Sequence, residues 1–144
     1  MEQFKLDFFR KDHETVNINF ITLSKKKCDD TFISFCTKYK IQENERTNIF
    51  NNIQNKGHYI NFTNAEDAEF NLGRLINDLN IKTLPINLYV CWDSFYNIDV
   101  FKYDDAVKYF DYIWYPIVDD IIIFDSSFNF CLMIRHDGII YTLN

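Results

Sequence analysis

Three glycines and two prolines in 144 residues leave this chain with few of the residues that break elements or line phosphate cradles. A backbone nest for phosphate uses glycines in left-handed geometry, and neither Gly-x-Gly-x-x-Gly nor Gly-x-x-x-x-Gly-Lys occurs. His-Glu-x-x-His and Gly-x-Ser-x-Gly are missing too, so nucleotide-dependent, zinc-protease and serine-hydrolase chemistry have no local signature. Basic charge is also in short supply. Fifteen Lys plus Arg face 21 Asp plus Glu, for a net charge of −6, which argues against direct binding of nucleic acid. Apolar runs are short. Ile121–Phe124 falls far below the roughly 18 residues that cross a bilayer, and no membrane association is expected. The opening Met1-Glu2-Gln3-Phe4-Lys5-Leu6-Asp7 lacks the basic segment and apolar run of a secretory signal, so the expected location is cytoplasmic. Four scattered cysteines, Cys28, Cys36, Cys91 and Cys131, contain no Cys-x-x-Cys pair; free thiols are expected, with no cofactor.

Aromatic and apolar residues, by contrast, are abundant. Fifteen Phe, nine Tyr and a hydrophobic share of 47% supply enough burial to offset the ordering of one globular domain over residues 1–144. The acidity is uneven. Residues 1–57 carry 10 basic and 8 acidic side chains, residues 58–144 carry 5 and 13, so the second half holds whatever acidic face the fold has. Such a field steers basic partners and weakens with salt.

Hydrophobic periodicity predicts strands near Phe4–Phe9 and over Val16–Phe20, where Val16, Ile18 and Phe20 alternate with asparagines. Asp29-Asp30 can cap a helix carrying Phe32, Ile33, Phe35, Cys36 and Tyr39. Further helices are expected over Gln42–Asn55, with Gly57 as a left-handed terminator, and over Ala68–Leu79 after an Asn64/Asp67 capping arrangement. Leu84–Cys91 alternates like a strand, and Asp104 can cap a helix running to Trp114 before Pro116. In the tail, Ile121–Phe124, Phe128–Ile134 and Ile139–Leu143 are separated by the turn formers Asp125-Ser126-Ser127 and His136-Asp137-Gly138, which reads as an antiparallel meander. The expected fold is α+β: an antiparallel sheet with a C-terminal β-meander and helices packed on one face.

Residues 92–120 concentrate the candidate contact residues. A helix over Asp104–Trp114 would put Val107, Phe110 and Trp114 on one side and Asp105, Tyr109 and Tyr112 toward water. Trp92, Asp93 and Tyr96 precede it, and Tyr115, Asp119 and Asp120 follow. Tyr and Trp anchor protein interfaces because each offers a rigid contact area with a polar tip. Asp119, Asp120 and Asp125 are read as charges guarding a strand edge rather than metal ligands, and His136 as part of a hairpin turn. Cys28, beside Lys25-Lys26-Lys27 and a helix start, has neighbours that would lower a thiol pKa, yet no readable motif ties it to His13, His58 or His136. A non-enzymatic binding role is therefore expected. The alternatives are a small enzyme with a thiol or carboxylate site, and an accessory subunit of an oligomer.

Trp114-Tyr115-Pro116, the run Asp119–Asp125 and His136-Asp137-Gly138 together resemble small bacterial immunity proteins of contact-dependent and other polymorphic toxin systems. The resemblance covers the final third of the chain. It implies a cytoplasmic protein, monomeric or weakly dimeric when free, that binds and neutralises a cognate toxin domain, often a basic nuclease. Such proteins share no catalytic motif, so the resemblance assigns no site to particular residues.

Overall fold

Side chains alternate across a strand, so a strand that is apolar at every position must be covered on both faces. Two strands among the described residues are of this kind, and they organise the rest. The computed structural model describes residues 1–79, 81 and 83–143. In chain order they form α1 (Gln3–Asp12), β1 (Phe20–Thr22), α2 (Lys25–Tyr39), a 3-10 helix (Glu43–Asn48), α3 (Ile49–Lys56), β2 (His58–Ile60), α4 (Leu72–Asp78), β3 (Asn87–Cys91) and β4 (Ile98–Lys102). Two short helices, α5 (Tyr103–Lys108) and α6 (Phe110–Ile113), lead to β5 (Ile121–Phe124), β6 (Cys131–Ile134) and β7 (Ile140–Leu143). All seven strands pair antiparallel in the order β1-β4-β3-β5-β6-β7-β2.

Every residue of β5 and β6 is buried. Ile121, Ile123, Leu132 and Ile134 enter one core with Phe9 of α1, Leu72, Leu75 and Ile76 of α4, and Phe110 and Ile113 of α6. Ile122, Phe124, Cys131 and Met133 enter a second core with Phe32, Phe35 and Cys36 of α2 and Ile49 and Ile53 of α3. Each fully buried aliphatic or aromatic side chain contributes roughly 1.5–3 kcal/mol, so these two strands alone carry much of the burial. The fold is thus α+β with a C-terminal meander, and its helices cover both sheet faces rather than the single face expected. The uniformly apolar β5 and β6 leave no wet side.

Local differences have local causes. The Phe4–Phe9 segment is helical: its buried positions are Lys5 and Phe9, four apart, while Phe4 and Phe8 are exposed. The early strand is short and shifted to Phe20–Thr22, with Ile18 buried in the loop before it. Ser24, accepting from the Lys27 N–H, caps α2, so the three lysines form its first turn and Asp29-Asp30 lie inside it. Gly57 is extended (φ −82°, ψ 170°), not left-handed. Asn64 and Asp67 close a turn, and Asn71 caps α4. The expected helix from Asp104 to Trp114 breaks at Tyr109 (φ −113°, ψ 26°).

Candidate functional site

The break at Tyr109 redistributes the residues expected to face water. Tyr109 is 6% exposed and packs edge-on against Phe9 at 4.9 Å, so it belongs to the core and not to a contact surface. Tyr112 is half-buried, meets Phe9 at 5.3 Å and donates its hydroxyl to Asp12 at 3.1 Å. Asp105 is partly buried. Tyr96 lies elsewhere, its ring 4.1 Å from the Arg46 guanidinium, which also packs on Phe32 at 4.8 Å and pairs with Asp29 at 2.6 Å. Among the expected contact residues, Trp92, Asp93, Asp119 and Asp120 come together at one end of the sheet, with Tyr115 on the adjoining loop.

Beneath Trp92, Asp119 and Tyr115 lies Lys5, on the inner side of α1. Its side chain is 0% exposed, and its ammonium donates to Asp119 Oδ2 at 2.6 Å and to the Ile113 carbonyl at 2.9 Å. The same nitrogen sits 4.2 Å from the Trp92 ring centre. Trp92 Nε1 donates to Asp99 Oδ2 at 2.8 Å, and Asp99 also accepts from Thr22 Oγ1 at 2.6 Å and pairs with the Met1 amino group. Two buried carboxylates are therefore each held by a cation and by neutral donors, the arrangement a buried charge requires. Asp119 does more. It accepts from the Tyr115 N–H at 2.7 Å, returns its own N–H to the Tyr115 carbonyl at 3.1 Å, and its carbonyl accepts from Trp114 Nε1 at 3.0 Å. Burial, aided by the Asp119 charge, raises the Tyr115 phenol pKa above its ordinary value.

Over this compensated floor opens a hollow of about 560 Å³ walled by Trp92, Asn97, Thr22 and Val118. Five carboxylates line it: Glu2, Asp93, Asp99, Asp119 and Asp120. Among the described residues no lysine or arginine does; the cation that lines it is the Met1 ammonium, already paired with Asp99. Glu2, Asp93 and Asp120 are exposed, and Asp120 accepts from the His136 N–H at 2.8 Å and faces His136 Nδ1 at 3.0 Å. On the far side of Tyr115-Pro116 a second hollow of about 380 Å³ is lined by Glu66, Asp67 and Asp111, again with no lysine or arginine among the described residues. Sequence reasoning missed Lys5, Asp99 and Glu2. The one signal for Lys5 was its four-residue step to Phe9, which the alternation of Phe4, Leu6 and Phe8 obscured.

The thiol candidate has the opposite environment to the one expected. Cys28 is 1% exposed, its Sγ lies 3.8 Å from the Leu23 carbonyl, and burial pushes its pKa up. The three lysines beside it point to water. No histidine hydrogen-bonds a cysteine among the described residues. The three tail aspartates diverge: Asp119 turns inward to Lys5, Asp120 outward to His136, and Asp125 accepts from the N–H groups of Ser127 and Asn129. Among the described residues no three His, Cys, Asp or Glu side chains are placed to hold a metal ion, and no helix is long and apolar enough to cross a membrane. No family model matches the chain, and no curated protein or solved structure is significantly similar to it.

Proposed function

We propose that this chain is a non-enzymatic protein-binding module that neutralises a bacterial toxin domain of basic surface, working in the cytoplasm and monomeric or weakly dimeric until it meets that partner. The observation that carries this reading is the 560 Å³ hollow, in which Glu2, Asp93 and Asp120 remain exposed beside Trp92 and no basic side chain among the described residues lines the wall. A lysine or arginine from a partner would complete the charge balance there, and the indole supplies a rigid surface for the aliphatic stem or the guanidinium plane. Exposed carboxylates of this kind speed encounter and set register more than they add affinity. The likeness of the C-terminal third to immunity proteins supports the same reading.

The test is coexpression with the product of the neighbouring gene. The two proteins are expected to copurify, with the complex weakened by salt and by Asp93→Asn/Asp120→Asn, and cells carrying both are expected to survive expression of the partner. Absence of any complex, or a complex indifferent to both salt and the paired substitution, would overturn the proposal.

A further inference from the structure

Between the two acidic hollows stands a ridge, the loop Tyr115-Pro116-Ile117-Val118. Ile117 is 86% exposed and Val118 63% exposed, two adjacent β-branched aliphatic side chains given to water. Ile117 also has φ +71°, a left-handed conformation that a β-branched residue adopts only when its surroundings hold it there. They do hold it: the Ile117 N–H donates to the His136 carbonyl at 2.7 Å, and the Tyr115–Asp119 exchange closes the loop from below on the buried Lys5. The ridge is therefore preorganised, and little conformational freedom remains to be lost when its apolar tip is covered.

Resting on the protein-binding reading above, we infer that this ridge is the central anchor of the interface, and that its occupant is a segment of the partner protein with an apolar centre flanked on both sides by lysine or arginine. The centre would cover Ile117 and Val118, one basic flank would enter the hollow of Asp93 and Asp120, and the other the hollow of Glu66, Asp67 and Asp111. Charge complementarity selects this occupant. A second copy docked through this same face would set these carboxylates against their own kind, and nucleic acid would bring phosphates to them.

The probe is a fluorescein-labelled peptide with three leucines at its centre and three lysines at each end, titrated by anisotropy against the full chain. Its control has the same composition with the lysines central and the leucines at the ends. The basic-ended peptide is expected to bind at least about tenfold more tightly than the control, and to lose about tenfold or more on Ile117→Ser/Val118→Ser and on raising the salt, since exposed charges are screened. Ile117→Gly separates recognition from folding. Glycine accepts the left-handed geometry, so this variant is expected to unfold no more easily than the natural chain while binding the peptide weakly. Equal binding of the two peptides, binding unchanged in the loop variants, or no binding of the basic-ended peptide would each overturn the inference. Should the coexpressed partner bind the Ile117→Ser/Val118→Ser chain undiminished, the ridge assignment falls while the protein-binding reading stands. Failure of both partner and peptide to bind removes both.

Discussion

Replacing Asp119 by asparagine keeps the shape of the side chain and an acceptor for the Tyr115 N–H, but it leaves the Lys5 ammonium buried without its counter-charge. Breaking a buried ion pair by removing one partner costs about 3–5 kcal/mol. The Glu2 carboxylate at 3.6 Å and the Ile113 carbonyl at 2.9 Å stay with Lys5, which places the expected loss at the lower end, about 3 kcal/mol. For 144 residues the unfolding entropy at the midpoint is about 0.3 kcal/mol/K, so Tm should fall by about 10 °C. Urea unfolding followed by tryptophan fluorescence reads the site directly, because Trp92 lies against Lys5 and Trp114 donates to Asp119. Lys5→Met in the Asp119→Asn background removes the stranded cation and should recover about 2 kcal/mol, a coupling that appears only if the two groups act as a pair. A loss below about 0.5 kcal/mol for Asp119→Asn, or a double variant that loses the sum of the two singles, would refute the reasoning.

Three further outcomes follow from the same structure. Gly138 has φ +73°, and a Cβ there would lie 1.8 Å from Asn64 Oδ1, so Gly138→Ala should cost about 2 kcal/mol or more in urea unfolding. Arg46→Lys replaces a fork that donates to the Ser94 carbonyl at 3.0 Å and the Phe95 carbonyl at 2.6 Å, across a turn whose residues Ser94 and Phe95 both have positive φ; a loss of about 2 kcal/mol is expected, measured the same way. Burial raises the Cys36 thiol to about 11 and the Cys91 thiol to about 12 from 9.0, so the folded chain holds protons that the unfolded chain releases. Stability should therefore be full below pH 9 and fall as pH rises from 9 toward 11 and 12, visible as a declining urea midpoint.

The parts of the fold that could be read from the sequence are those where local pattern and tertiary burial agree. Ile121–Phe124 and Ile139–Leu143, separated from the middle run by strong turn formers, became β5 and β7 with little change at their ends. The middle run shortened because Phe128 takes φ +52° and leaves the ladder, joining the second core while Phe130 joins the first. The α1 segment misled because its inward face is built on Lys5, a residue that hydrophobic periodicity counts as polar; only its partners Asp119 and Trp92, more than eighty residues away, make that burial possible. The helix expected to run from Asp104 failed at Tyr109 for a similar reason, since Phe9 of α1 and His13 just after it draw that ring inward. Of the candidate surface, Trp92, Asp93, Asp119, Asp120 and Tyr115 converge because they flank the ends of β3 and β5, neighbours in the sheet. Asp105, Tyr109 and Tyr112 do not join them, because face assignments that assume one unbroken helix do not survive a break, and Tyr96, in the turn between β3 and β4, lies instead against the Arg46 guanidinium.

Hydrogen exchange of the chain alone and in complex with the neighbouring gene's product tests the central claim most directly. Slowed exchange around Trp92-Asp93 and Tyr115–Asp120, extending to Glu66-Asp67 across the ridge, is the predicted footprint. Protection centred instead on the outer face of α2, or no protection anywhere, would contradict it.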